Sequence, residues 1–246
     1  QENTDEAQIR AVWSEFGDDF FLRHTVKQIT QLTQGVLAHD RANGAFVALS
    51  SANQTHGSES ATELYILDQD RPGSFAATVV ALTSMNLSVV DAYLNKISDG
   101  RYFNIFTVID QNGEQVADEK ELRSRITRRI KDTLRKSSPQ TDGSNHRIPR
   151  QLKEMPYPTE VAISSQEDGQ FSQLHITAAD RRGLLANIAM VLIDNKLEIS
   201  FARITTLGER IEDLFGVTDA QGQAIRDPAL CRDIEQQLKR TLDSAL

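Results

Sequence analysis

The chain has 246 residues, of which 39% are hydrophobic and 25% are charged, and its formal net charge at pH 7 is −8. This composition provides enough apolar material for one large folded domain or for two domains of ordinary size. The negative charge argues against nucleic acid or an anionic membrane as the main partner, and no apolar run approaches the roughly 20 residues that span a bilayer. We therefore expect a cytoplasmic protein, in which a single cysteine, Cys231, excludes an intrachain disulfide.

Residues 1–43 are predicted to form a helical extension. Trp13, Phe16, Phe20 and Phe21 lie close together within it, and further apolar residues follow along the segment. Some of these aromatic side chains must be exposed or must find a partner elsewhere in the protein.

Beyond the extension, two segments contain the same motifs in the same order. Residues 70–76 read DRPGSFA, and residues 180–186, which lie 110 positions later, read DRRGLLA. Further blocks match in the same order, namely Val47-Ala48-Leu49 with Val161-Ala162-Ile163, Leu87-Ser88-Val89 with Leu197-Glu198-Ile199, and Asp110-Gln111-Asn112-Gly113 with Asp219-Ala220-Gln221-Gly222. Matched blocks in one order indicate an internal duplication.

Each repeat is predicted to contain two strands, a helix, two further strands and a closing helix. The strands are predicted at 46–51, 62–67, 87–97 and 102–109 in the first repeat, and at 160–165, 174–177, 197–206 and 211–218 in the second. The fold class is therefore α+β, with two tandem domains that each have a four-stranded antiparallel sheet and two helices on one face. Because few residues follow the last helix, the leading strands near Val47 and Val161 are expected to complete the two sheets.

These elements divide the chain into four predicted parts. The helical extension at 1–43 is followed by a first domain at 44–137, a flexible linker at 138–157 and a second domain at 158–246.

The two turns that share the DRxG pattern are the best candidates for ligand binding. Their glycine permits close approach to the backbone, and the start of the following helix offers free N–H groups to a carboxylate. The aspartate could receive the α-ammonium group of an amino acid; alternatively it caps the helix while the glycine only turns the chain. The candidate residues are Asp70, Arg71, Pro72, Gly73, Ser74 and Phe75 in the first turn, and Asp180, Arg181, Arg182, Gly183, Leu184 and Leu185 in the second.

The sequence contains no recognisable set of catalytic or metal-binding residues. The His39-Asp40 dipeptide lacks companions because the five histidines are scattered along the chain, so we predict neither a catalytic residue nor a metal site. The helix predicted at 118–136 is rich in Arg and Lys, but it has no interleaved aromatic residues on which bases could stack. A solvated face or a contact with another domain is therefore favoured over nucleic-acid binding.

A strand followed by a DRPG turn and a helix resembles the ACT domain, a ferredoxin-like small-molecule sensor in metabolic enzymes. Three further segments resemble the family of bacterial PII uridylyltransferase/uridylyl-removing enzymes, namely FFLRHT at 20–25, HRIPRQLK at 146–153 and ARITTLGERIEDLF at 202–215. The chain departs from the ACT pattern where Arg182 replaces a proline and where Ser74 and Phe75 replace smaller aliphatic residues.

This resemblance implies a glutamine-sensing regulatory region of an enzyme that attaches UMP to the signalling protein PII and removes it. The nucleotidyltransferase and HD hydrolase domains, and the Mg²⁺ that they need, would then lie outside this chain, which itself needs no cofactor. The aromatic residues of the extension would pack on the hydrolase domain.

Ser88 and Glu198 begin the strand in which ACT sensors often place a polar ligand contact, although each could equally be an exposed edge residue. The function left open as an alternative is a ligand-free ACT module for interaction, or for homodimerisation through the sheets.

Overall fold

The computed structural model describes residues 5–51, 61–97, 99–116, 120–136, 158–165, 169–181, 183–207 and 209–244. The linker predicted at 138–157 and the candidate residue Arg182 lie outside these ranges. The boundaries predicted between the domains therefore stay predictions. The helices are α1 (Glu6–Phe16), α2 (Asp18–Arg23), α3 (Val26–Ala38), α4 (Ser74–Ser84), α5 (Lys120–Arg135), α6 (Leu184–Asp194) and α7 (Pro228–Ser244). The strands are β1 (Phe46–Ser51), β2 (Thr62–Gln69), β3 (Ser88–Lys96), β4 (Arg101–Ile109), β5 (Glu160–Ser165), β6 (Ser172–Ala179), β7 (Glu198–Arg203), β8 (Thr206–Leu207) and β9 (Arg210–Thr218).

The described strands form one antiparallel sheet in the order β1-β2-β4-β3-β7-β9-β6-β5, with β8 paired to β9. The first four strands in this order come from the first repeat and the others come from the second. Helices α4 to α7 contribute to a single apolar core that runs across both repeats on one side of the sheet. This arrangement confirms the predicted α+β fold, with two tandem ACT-like units and a helical extension.

The leading strands complete the sheets as predicted. Val47 pairs with Ile66 in the first repeat, and Val161 pairs with Ile176 in the second. All four side chains are buried, because alternate residues of each leading strand face the helices.

One strand prediction is wrong. The strand predicted at 197–206 is interrupted, because β7 ends at Arg203 and β8 begins at Thr206. At the interruption, the backbone N–H of Thr205 donates to the Asp213 carboxylate at 3.3 Å instead of joining a regular ladder. A buried side chain on β9 has therefore taken a backbone donor away from strand pairing.

The two repeats are joined along β3 and β7. These strands pair antiparallel, with Tyr93 opposite Arg203, and α4 contacts α6 above them. The core is continuous across this junction, since the rings of Phe75 and Phe215 lie 6.4 Å apart. The tandem units therefore share one sheet and one core.

The extension covers the other face of the first sheet. Phe16 and Phe20 are fully buried, and their ring centroids lie 4.7 Å and 5.6 Å from that of Phe103 on β4. Glu15 forms a buried ion pair with Arg101 at 2.7 Å. Phe16 and Phe20 thus find their partner within this chain, and not on the hydrolase domain that the resemblance implied.

We predict that Phe20→Ala lowers the free energy of unfolding by about 3–5 kcal/mol, because it leaves a cavity between α2 and the sheet. Leu22→Ala, in the same helix, is the matched control, since Leu22 is 86% exposed whereas Phe20 is 1% exposed. The control should change stability by less than about 0.5 kcal/mol. Urea unfolding followed by circular dichroism measures both, and equal losses would show that α2 is not held to the sheet.

Candidate ligand-binding site

Two pockets lie where the repeats meet, and each contains one DRxG turn. The first pocket joins the turn at 70–76 to the start of β7 at 197–200, and Tyr102 and Asn104 on β4 also line it. The second pocket joins the described residues of the turn at 180–185 to the start of β3 at 87–89. Ile211 and Asp213 on β9 also line this pocket. The cavities have volumes of about 60 Å³ and 40 Å³ respectively.

Each pocket therefore combines the turn of one repeat with a strand of the other. Glu198 faces the first turn, and Ser88 faces the second. The sequence placed each of these residues at the start of a strand, and the structure shows that each faces the turn of the other repeat. Both lie in the pockets as partly buried side chains, so neither is an exposed edge residue.

The crossing follows from strand direction. The first turn lies beside the end of β3, because the Asp70 N–H donates to the carbonyl of Gly100 at 2.8 Å. Ser88 begins β3 at its opposite end. Since β7 runs antiparallel to β3, its first residues lie next to the last residues of β3 and hence next to the turn.

Both turns adopt the same backbone geometry. Gly73 and Gly183 have φ values of 78° and 80°, a left-handed conformation that favours glycine. These glycines, and not the aspartates, stand at the N-cap positions, and no side chain caps either helix. The alternative in which Asp70 and Asp180 cap the helices is therefore wrong.

The helix starts leave backbone donors beside the pockets. In α4 the N–H of Ala77 donates to Gly73 at 2.9 Å, and in α6 the N–H of Asn187 donates to Gly183 at 3.0 Å. The backbone N–H groups that precede this first hydrogen bond in each helix stand outside the helix ladder. Together with the positive end of the helix dipole, such groups suit a carboxylate.

The first pocket already contains an ion pair. Lys96 Nζ lies 2.6 Å from the Asp70 carboxylate. The hydrogen bond that Lys96 donates to Asp70, together with the negative charges of Asp70 and Glu198, raises the pKa of Lys96 against the opposing effect of burial. The lysine ammonium group therefore neutralises the acidic side of this pocket.

Arg71 and Phe75 have structural partners in the first repeat. Arg71 pairs with the buried carboxylate of Asp68, and Phe75 is buried against Phe106, with ring centroids 5.8 Å apart. Burial, with a further contribution from Asp68, raises the pKa of Tyr102. The Asn104 side-chain oxygen is buried and has no hydrogen-bond partner among the described residues.

The second pocket contains two carboxyl groups. Asp213 is 3% exposed; its Oδ1 accepts the Thr205 N–H, and its Oδ2 has no hydrogen-bond partner in the part of the chain that the structure describes. Burial raises the pKa of Asp213 to about 7, and the negative charge of Asp180 contributes in the same direction. Burial also raises the pKa of Asp180, and it lowers the pKa of Arg181.

The sequence analysis missed Lys96, Tyr102, Asn104 and Asp213. A signal was present for two of them, since Asn104 and Asp213 are polar residues on the inward face of strands whose other inward residues are buried and mostly apolar. Asn104 lies opposite Ile66, and Asp213 lies opposite Ile176. The two residues thus hold equivalent positions in the two repeats.

The part of the chain that the structure describes has neither a metal-binding cluster nor a membrane-spanning helix. No group of three or more His, Cys, Asp or Glu side chains there could hold a metal ion. No described helix is both long enough and apolar enough to cross a membrane.

Two family models match parts of the chain. One, described as the fifth domain of uridylyltransferase GlnD, matches residues 1–35, and another, described as the N-terminal ACT domain of the ACR family, matches residues 169–243. Bifunctional uridylyltransferase/uridylyl-removing enzymes from Pseudomonas putida and Pseudomonas aeruginosa are 31% and 33% identical over 99% and 97% of the chain. The chain corresponds to the ACT-domain region of these enzymes.

The chain spans only about a quarter of the length of these relatives, covering 27% and 26% of the two enzymes. Among solved structures, aspartate kinase from Synechocystis matches 74% of this chain and 27% of its own, at 15% identity and a TM-score of 0.41. A likeness this low adds nothing to the assignment of an ACT-domain region.

The acidic second pocket should make stability depend on pH. Because the pKa of Asp213 is raised to about 7, the folded chain keeps a proton that the unfolded chain releases from about pH 4 upward. The stability that Asp213 contributes therefore falls as pH rises through this range. Asp213→Asn lacks this titrating group. We therefore predict that the difference in unfolding free energy, Asp213→Asn minus wild type, increases by up to about 4 kcal/mol between about pH 4 and pH 8.

Chemical unfolding of both proteins across this pH range measures the difference. Asp233→Asn, at an exposed position of α7, controls for the change in net charge. A difference between Asp213→Asn and wild type that stays constant with pH would show that the Asp213 carboxyl group titrates at its ordinary value.

Proposed function

We propose that the chain is the glutamine-sensing regulatory region of a bifunctional enzyme that attaches UMP to the signalling protein PII and removes it. The observation that carries the proposal is the pair of pockets between the repeats. Each offers backbone donors at a helix start to a carboxylate and acidic side chains to an ammonium group. A free amino acid carries both of these groups. The choice of glutamine among amino acids rests on the resemblance to the enzyme family.

The position of the pockets supports a regulatory role. Because each pocket takes residues from both repeats, a bound ligand contacts both and favours the relative positions in which it fits. The cavities of about 60 Å³ and 40 Å³ are small, so an amino acid enters when the turn and the facing strand move apart. Binding is thereby coupled to a rearrangement of the junction, which the nucleotidyltransferase and HD hydrolase domains of the longer enzyme, with their Mg²⁺, would sense.

The second candidate function is a ligand-free interaction module. The small cavities and the continuous sheet across β3 and β7 favour this alternative, because a junction that is closed in this way leaves little room for a ligand. The outer strands β1 and β5 each have one unpaired edge in the described sheet, through which a homodimer could extend it.

We predict that glutamine raises the melting temperature of the chain, because a ligand that binds only the folded state stabilises it, by about 2.7 kcal/mol at a hundredfold excess over the dissociation constant. Differential scanning calorimetry with glutamine, asparagine and glutamate measures the effect and its selectivity. An unchanged melting temperature at saturating millimolar glutamine, with a dimer in sedimentation analysis, would favour the interaction module instead.

We further predict that Asp180→Ala weakens glutamine binding more than Asp70→Ala. Asp70 is already paired with Lys96 at 2.6 Å, so it has less attraction left for a ligand ammonium group. Titration calorimetry on the two variants measures the losses. A larger loss for Asp70→Ala would assign the principal site to the first pocket.

A further inference from the structure

The two pockets differ in charge at equivalent positions. In the first repeat, Lys96 lies opposite Tyr102 and Asn104 follows two residues further along β4. In the second repeat, Thr206 lies opposite Ile211, and Asp213 follows two residues further along β9. Among the described residues that line it, the second pocket therefore has no lysine ammonium group, and it has a carboxyl group where the first pocket has a neutral amide.

The first pocket shows what an ammonium group does at this place. Lys96 Nζ is hydrogen-bonded to Asp70 and is influenced by the charge of Glu198. The chain thus supplies its own amine to the acidic groups of the first pocket, and this amine occupies the place that a ligand amine would take.

The second pocket has acidic side chains but no such amine among the described residues that line it. Asp213 is almost completely buried and lines the pocket, and its Oδ2 has no hydrogen-bond partner among the described residues. A buried acceptor without a partner is rare in proteins and costs about 1–3 kcal/mol, more for a charged group. Its position suits a donor that comes from outside the chain.

We propose that the second pocket recognises a protonated amine of its ligand, which lies between the carboxyl groups of Asp180 and Asp213 and pairs with both. This proposal rests on the proposed function, because it assigns a specific contact to the amino-acid ligand. It makes Asp213 a binding residue that distinguishes the second pocket from the first.

The charged groups around Asp213 determine how this contact depends on pH. The DRxG turn brings Asp180 and Arg181 to the pocket, and Asp243 on α7 acts on Arg181. The residues that α4, β3 and α6 contribute are uncharged. Asp180 is thus the acidic neighbour of Asp213, and Arg181 is the basic one, among the described residues that line this pocket.

Amine binding should therefore release a proton. Below about pH 7 the free Asp213 carboxyl group is mostly protonated, because burial and Asp180 raise its pKa to about 7. The ligand amine needs the ionised carboxylate, so the affinity should rise about tenfold for each pH unit up to about pH 7 and then level off.

Titration calorimetry of the whole 246-residue chain tests this with glutamine and with N-acetylglutamine, which lacks the charged amine, between about pH 5 and pH 8. We expect glutamine to bind more tightly as pH rises and to release protons, as judged in two buffers of different ionisation enthalpy. Asp213→Asn should bind more weakly at high pH and lose the pH dependence. Asp233→Asn, which removes a carboxyl group at an exposed position of α7, should keep the wild-type pH dependence.

Two results would overturn the proposal: an unchanged pH dependence in Asp213→Asn, or equal binding of N-acetylglutamine and glutamine. If glutamine does not bind at all, the proposed function fails, and methylammonium becomes the probe. Carbon-13 NMR of the Asp213 carboxyl group in wild type then decides, without need of a variant. A shift on addition of methylammonium supports the amine site, whereas no shift at saturating concentration refutes it.

Discussion

The antiparallel pairing of β3 with β7 is the contact on which both pockets depend. It joins the edge strand of one four-stranded unit to the edge strand of the other, with Tyr93 opposite Arg203, and it determines which residues meet. Had the strands run parallel, each turn would face a strand end of the other repeat instead of a strand start. Because they run antiparallel, Glu198 reaches the first turn and Ser88 reaches the second. A binding site in this chain is therefore a property of the junction and not of either repeat.

The duplicated scaffold has been adapted to different surroundings on its outer face. Tyr65 on β2 and Phe103 on β4 are buried beneath the extension. The corresponding residues of the second repeat, His175 and Glu212, are exposed. The same backbone position thus carries an aromatic residue where helices cover the sheet and a polar residue where solvent does. This difference explains why the extension stays with the first repeat.

The fold could be predicted because its information is local and repeated: alternation marked the strands, and the duplication fixed their order. The pairing between repeats could not, since one residue pair at β3 and β7 carries no signature in the sequence. The interruption of the strand predicted at 197–206 was also hidden, because it depends on a carboxylate of β9 that binds the Thr205 N–H. In the site, the turns were predictable from their motif. Asn104 and Asp213 were missed because they lie within strands that otherwise follow an apolar pattern.

The unequal pockets show how a duplicated site can acquire two roles with few changes. In the first pocket, Lys96 satisfies Asp70 within the chain, so the turn is stabilised without a ligand. In the second, the replacement of an amide by Asp213 places a second acid near Asp180 in a buried environment, which is unfavourable for folding. Such a carboxyl group, whose Oδ2 has no hydrogen-bond partner among the described residues, would contribute to stability when a cation reaches it. Under the proposed function, the first pocket would keep its turn in place through this ion pair, and the second would link the junction to the ligand.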